Sequence, residues 1–360
     1  MTQTNPSSIA DFGCKSPRTE QSNPRDADLA AGRPPYTRRR WISSMASLAA
    51  GAGILGSTRD LKGRSQPPEA ESGIVDGHVH VWSADTAKYP FAPGFSEKDL
   101  WFPSFTVEEV MERSQSAGVR RVNLVQMTWY GLDHSYILDA IAREPKRFVG
   151  TGVVPAVSDV SGPAPDRAME ALSRRGIYAF RIRGKTARSP IGSGPGACWL
   201  DHPGYDLMFA AGAKHNLALS FLMNTDDIPE LDRMCAKFPE TPVIVDHLCG
   251  IGSTDPRRDE KLTALCGLAK HRKVLVKVGA FYALGKKQPP YLDMLPIVRR
   301  VVEAFGPERC MWESDAPKGA EKPHTFLDAV AVIKEHADFL SPSEREQILV
   351  KTAGNFFFNR

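Results

Sequence analysis

From residue 74 onward the chain alternates between two kinds of hydrophobic pattern. Short, nearly continuous apolar runs fall at 74–79, 119–125, 148–154, 177–183, 217–223, 242–246, 273–278 and 310–314. Each is rich in Val, Ile, Leu or aromatic residues and short enough for a strand covered on both faces, as parallel strands are. Between them the apolar residues recur at helical spacing, at 106–117, 133–143, 164–175, 204–214, 227–237, 257–269, 291–304 and 324–338, with a last stretch at 343–353. Thr106 before Glu108-Glu109 starts the first helix, Gly118 closes it, and Pro145 follows the second. Eight strand–helix units in succession predict a single (β/α)8 TIM barrel over 73–360, close to the usual size of about 250 residues. A doubly wound sheet is the alternative, but no G-x-G-x-x-G or phosphate loop follows any of the runs.

The first 72 residues break this rhythm. Residues 1–36 are polar and rich in Pro, Ser and Asn, with no apolar period, and are expected to be disordered. Thr37-Arg38-Arg39-Arg40-Trp41 then precedes the small-residue apolar stretch Met45 to Gly56. A basic segment before a short apolar one is an export signal, and paired arginines before a bulky aromatic residue point to the twin-arginine type. Residues 37–57 are therefore expected to address the protein to the periplasm through the twin-arginine export machinery, and 58–72 to form a linker. The apolar stretch is too short for a permanent membrane span.

Composition narrows the class further. The chain has 360 residues, 42% of them hydrophobic and 24% charged, which excludes disordered, collagen-like and multi-span membrane proteins. The net charge of +4 is carried by the leader: residues 1–64 hold ten Lys/Arg against five Asp/Glu, and the remainder is close to neutral. The barrel thus lacks the electrostatic footprint of a nucleic-acid partner, and a small-molecule substrate is expected. Of six cysteines, Cys14 lies in the leader, leaving an odd number without C-x-x-C spacing, so neither a disulfide framework nor a zinc finger is indicated.

In such barrels the chemistry sits where the strands end. The first run ends in Asp76-Gly77-His78-Val79-His80. Histidines at i and i+2 on a strand share a face, which suits a divalent metal or a pair polarising a substrate carbonyl. The sixth run ends in Asp246-His247; His247 is assigned to the site and Asp246 to a supporting position. The eighth ends in Glu313-Ser314-Asp315, where Asp315 is a candidate general base. The fourth carries Arg181 and Arg183, either a clamp for a substrate anion or structural ion pairs. Gln126 and Tyr130, after the second run, are further candidate substrate contacts.

These residues, with Val81-Trp82, Tyr130-Gly131-Leu132-Asp133-His134-Ser135-Tyr136, Ile228-Pro229-Glu230-Leu231, Ala316-Pro317 and Gly354-Asn355-Phe356, give the chain a resemblance. It is similar to the amidohydrolase superfamily, in its amidohydrolase-2 branch, and there to the lactonase group. The resemblance implies that His78 and His80 are the first-strand pair, His247 the sixth-strand histidine, Asp315 the eighth-strand acid and Arg181 the substrate-gripping arginine. It also implies one divalent metal, zinc or manganese, on His78, His80 and Asp315, or metal-free catalysis as in some lactonases. Two departures stand out. Leu222-Met223 occupies the end of strand five, where many metal-dependent relatives have histidine. Glu313 replaces a common glycine and is expected to face the helix layer. The expected activity is hydrolysis of a lactone or related ester, with metal-dependent decarboxylation and a non-catalytic binding barrel as alternatives.

Overall fold

In a computed structural model, which describes residues 73–157, 159, 161–185 and 199–360, the eight apolar runs are eight parallel strands. They are β1 Ile74–His80, β2 Val119–Val125, β3 Phe148–Gly152, β4 Ile177–Arg183, β5 Ala218–Leu222, β6 Val243–Val245, β7 Val274–Gly279 and β8 Cys310–Glu313. Their order around the sheet is their order in the chain. The sheet closes where Val79 bridges Ala316 and the His80 N–H donates to the Ala316 carbonyl at 2.9 Å. Asp76 clasps the same seam, because its Oδ1 accepts from the backbone N–H of both His78 (3.1 Å) and Ser314 (3.0 Å). This is a TIM barrel. The expected leader, export signal and linker lie outside the described residues.

The helices follow the predicted pattern: α1 Val107–Ser114, α2 Ser135–Arg143, α3 Pro165–Ser173, α4 Pro203–His215, α5 Ile228–Lys237 and α6 Arg258–Gly267. A short α7, Phe281–Leu284, comes directly after β7 and was not expected. Then come α8 Leu295–Phe305 and α9 Phe326–Ala331. Thr106 caps α1 as expected: its hydroxyl accepts from the Glu109 N–H while Glu109 reaches back to the Thr106 N–H. Among the described residues no helix is long and apolar enough to cross a membrane, and Cys235, Cys249, Cys266 and Cys310 are free thiols.

Alternation along the strands sorts the side chains into two cores. One set, including Val122, Phe180, Val245, Val276 and Trp312, packs outward under the helices. The other, including Val75, Val149, Ala179, Ala218, Ile244 and Met311, fills the lower barrel. Two positions further along each strand the interior turns polar, since period two returns Thr151, Arg181, Ser220, Asp246, Lys277 and Glu313 to the same inner face. With Asn123 and His78 these residues form a ring to which every strand contributes one side chain, all of them buried.

His134, part of the motif after β2, belongs to this scaffold. Its Nε2 accepts from the Val153 N–H at 3.1 Å, and burial lowers its pKa from 6.5 to about 4. A histidine held neutral in this way contributes stability that is present above pH 6.5 and lost as pH falls towards 4. His134→Asn is expected to weaken that loss, measured as the urea midpoint across this range.

Candidate active site

The site is built on the polar ring and the strand ends above it. His78 Nε2 and His80 Nε2 stand 3.2 Å apart, and Asp315 Oδ1 lies 3.8 Å from the first and 3.7 Å from the second. His80 Nδ1 donates to the Val125 carbonyl at 3.1 Å, which fixes its ring. The other Asp315 oxygen accepts from the Tyr282 hydroxyl on α7 at 2.8 Å, leaving Oδ1 turned to the histidines. Burial, reinforced by Lys277 and Arg181, pushes the His78 pKa well below its ordinary value. Burial and Arg181 lower that of His80 to about 3. Both rings are neutral at physiological pH.

Below them Asp246 joins two buried cations. Its Oδ1 meets Lys277 Nζ at 2.9 Å and accepts from the Ser220 hydroxyl at 2.8 Å, and its Oδ2 accepts from Arg181 Nη2 at 3.2 Å. Burial alone would raise its pKa, but Lys277 and Arg181 hold it well below the usual carboxylate range. Asp246 was expected in a supporting position facing the helix layer and His247 within the site; both face the barrel. Asp246 follows the strand parity. His247, Leu248 and Cys249 then take left-handed backbone with φ of 52°, 49° and 56°, which swings His247 back over the mouth.

Glu313 is a second correction. It points into the barrel rather than towards the helices, and its Oε1 accepts from both Nδ1 (2.7 Å) and the backbone N–H (3.1 Å) of His247. Gly279 makes the room: a Cβ there would meet the Glu313 Cγ and carbonyl at less than contact distance. Burial would lower the His247 pKa, yet the Glu313 and Asp315 carboxylates raise it to about 9, so this ring is an imidazolium at neutral pH.

Two expected substrate contacts are not brought to the centre. The Gln126 amide donates to the Gly131 (3.0 Å) and Asp133 (2.7 Å) carbonyls, tying the loop after β2 to itself. The buried Tyr130 hydroxyl accepts from the Ser83 N–H at 3.2 Å. Arg181 is neutralised by Asp246. Arg183 is half-buried, donates to Thr128 Oγ1 at 3.0 Å and has no carboxylate partner among the described residues. Burial, then Arg181, lowers its pKa to about 10, so it stays charged.

Lys277, at the end of the seventh run, was given no role, and Tyr282 was not anticipated as a site residue. A lysine inside an otherwise apolar strand was the available signal for the first. Nothing in the pattern marked α7. Trp101, 43% exposed, also reaches the mouth, with its ring edge-to-face to His80 at 6.0 Å and Lys318 Nζ 4.8 Å from the ring centre.

A cavity of about 270 Å³ opens beside these groups, lined by Leu222, Met223, His247, Ala280, Leu284 and Asp315. Leu222 thus shapes the space where a strand-five histidine would stand. A larger cavity of about 930 Å³ at the opposite end of the barrel, against Arg121, Tyr178 and Phe357, contains none of these acid–base groups. His247, Asp246 and Asp315 line the smaller one.

The three donors His78 Nε2, His80 Nε2 and Asp315 Oδ1 suit a divalent ion, since ligands about 2.0–2.2 Å from a tetrahedral zinc stand roughly 3.3–3.6 Å apart. A second, overlapping trio is His78, His247 and Glu313.

A closed ring of eight parallel strands with paired histidines on the first and an acid after the last defines a class, and comparison agrees. The amidohydrolase family model matches residues 75–358, and the chain belongs to that family; it is a hydrolase. It is 26% identical over 287 residues to an L-fucono-1,5-lactonase of Burkholderia ambifaria, covering 79% of this chain and 94% of the relative. It is 24% identical over 245 residues to a 4-sulfomuconolactone hydrolase of Rhizobium radiobacter, covering 68% and 76%. Its fold matches that of a probable 2-pyrone-4,6-dicarboxylic acid hydrolase from Acinetobacter baumannii with citric acid bound, at a TM-score of 0.63 and 19% identity over 79% of this chain and 99% of that one.

Proposed function

We propose that the protein hydrolyses a lactone or a related cyclic ester carrying a carboxylate or another anionic arm. The observation that carries this reading is the meeting of a carboxylate, two neutral imidazoles and one imidazolium in one cluster, whose Asp315 and His247 line the cavity. Asp315 Oδ1, held by Tyr282 through its other oxygen, accepts a proton from the attacking water. His247, kept protonated by Glu313 and Asp315, donates to the oxygen on which charge develops, and His78 and His80 face the same carbonyl. Ring opening then needs one proton at the leaving oxygen, which the acid formed at Asp315 returns. A divalent ion on His78, His80 and Asp315 would supply Lewis acidity to the carbonyl. The relatives named for fuconolactone, sulfomuconolactone and pyrone dicarboxylate support the lactone class, and the last two names describe anionic substrates.

Arg183, a cation without a carboxylate partner among the described residues, is assigned the anionic arm. A panel of neutral and anionic lactones tests both points. Arg183→Gln is expected to raise KM for anionic members about tenfold, the scale of one charge-assisted hydrogen bond of about 1.5–3 kcal/mol, and to leave neutral ones nearly unchanged. Absence of turnover on every lactone would remove the reading.

We also propose that residues 37–57 export the barrel to the periplasm. Arg38-Arg39-Arg40-Trp41 before the apolar stretch supports this. Replacing the three arginines by lysine is expected to retain the protein in the cytoplasmic fraction on cell fractionation; unchanged periplasmic recovery would refute it.

A further inference from the structure

We infer that Glu313 sets the tautomer of His78, placing its proton on Nδ1 and turning the Nε2 lone pair to a divalent cation, while Lys277 pulls towards the opposite tautomer. A neutral imidazole carries one N–H, so whichever group engages Nδ1 decides what Nε2 can do. Two groups compete there. Lys277 Nζ lies 3.1 Å from His78 Nδ1 and can only donate to it. Glu313 Oε2 lies 3.3 Å away, out of line with the ring N–H, and can only accept from it. Glu313 Oε2 is fully buried and has no hydrogen-bond partner, whereas Oε1 takes two donors from His247. An orphaned, buried carboxylate oxygen is costly, and the nearest donor that relieves it is a proton on His78 Nδ1. Lys277 loses less, because it keeps Asp246 Oδ1 at 2.9 Å.

The other side of the ring agrees. The Val125 carbonyl accepts only, so His80 carries its proton on Nδ1 and a lone pair on Nε2. With His78 in the same tautomer, two lone pairs converge across 3.2 Å with the Asp315 oxygen beside them. That arrangement calls for a cation. Arg181 Nη2, 3.1 Å from His78 Nε2, is a donor able to meet the same lone pair when no ion does. In the opposite tautomer His78 Nε2 donates to His80 Nε2, and the pair is closed to a metal. Glu313 is thus a positioning residue that acts through His78, and Gly279 is the space that admits it.

The inference concerns the site assigned to lactone hydrolysis, but it is read in zinc affinity and proton position, so failure of lactone turnover does not touch it. The full chain, its Glu313→Gln variant and its Lys277→Met variant are titrated with zinc against a chromophoric chelator. Glutamine keeps a carbonyl for His247 and turns an amide N–H towards His78 Nδ1, so Glu313→Gln is expected to weaken zinc binding about 10–100-fold, as loss of a ligand-orienting partner does. Lys277→Met is expected to bind zinc at least as tightly as the wild type. Equal affinity of Glu313→Gln and wild type overturns the inference, as does a wild-type protein that takes up no zinc. Nitrogen-15 spectra of the histidines in the zinc-free wild type give a reading that needs no variant. A proton on His78 Nδ1 is expected, and a proton on Nε2 overturns it.

Discussion

Replacing Asp315 by asparagine lowers kcat on a hydrolysable lactone by about 10²–10⁴-fold, the range that general-base assistance supplies, with a much smaller change in KM. The reasoning is local. Asp315 reaches the mouth on a left-handed backbone turn, φ 55°, with its N–H on the His78 carbonyl, so its position is set by the main chain rather than by its charge. The amide keeps an oxygen for Tyr282 but cannot take a proton from water. Tyr282→Phe should cost less, because it frees one carboxylate oxygen without removing the base. Steady-state kinetics on both variants decide the matter: near-wild-type turnover in Asp315→Asn would assign the base elsewhere.

Removing the carboxylate at the other end of the site acts on stability. Asp246→Ala leaves the Arg181 guanidinium and the Lys277 ammonium, 7% and 0% exposed, without their shared counter-charge. Stranding one member of a buried ion pair costs about 3–5 kcal/mol, and here two cations are stranded. Urea unfolding should show a large fall in midpoint with an unchanged slope. Removing charge from both sides, in Asp246→Asn with Lys277→Met, should cost less than the two single changes added together. A single variant within about 0.5 kcal/mol of the wild type, the range of an ordinary surface change, would mean that water reaches these cations.

Most of the barrel was legible because parallel strands covered on both faces read as short apolar runs, and helices end where Gly and Pro fall. Only β2 and β4 keep the expected limits, and the ends of the other strands moved by a residue or two. Parity along a strand also located His78 and His80 correctly on one face. It failed where the backbone leaves the extended region. A single left-handed residue at His247 cancels the alternation after Asp246, so both side chains enter the mouth, and no residue type there announces it. Glu313 was misplaced, and Lys277 left without a role, for a different reason. Charged side chains in apolar strands are normally excluded from interiors, and only the full ring shows that Arg181, Asp246, Lys277, Glu313 and His247 compensate one another. Gln126 and Tyr130 sit at a strand end, as substrate groups do, yet their partners are backbone atoms of neighbouring loops.

The clasp made by Asp76 has a consequence for how the enzyme comes into being. Asp76 and Ser314 are 238 positions apart, and the donors around them come from the first and the last strand. At translation rates of about 5–20 residues per second, on the order of ten to fifty seconds separate the synthesis of the two halves of the seam. Throughout that interval the nascent chain holds the histidine pair but not its acid. Contacts of this sequence separation form late and slowly, so the histidine pair waits for the eighth strand before it meets its acid.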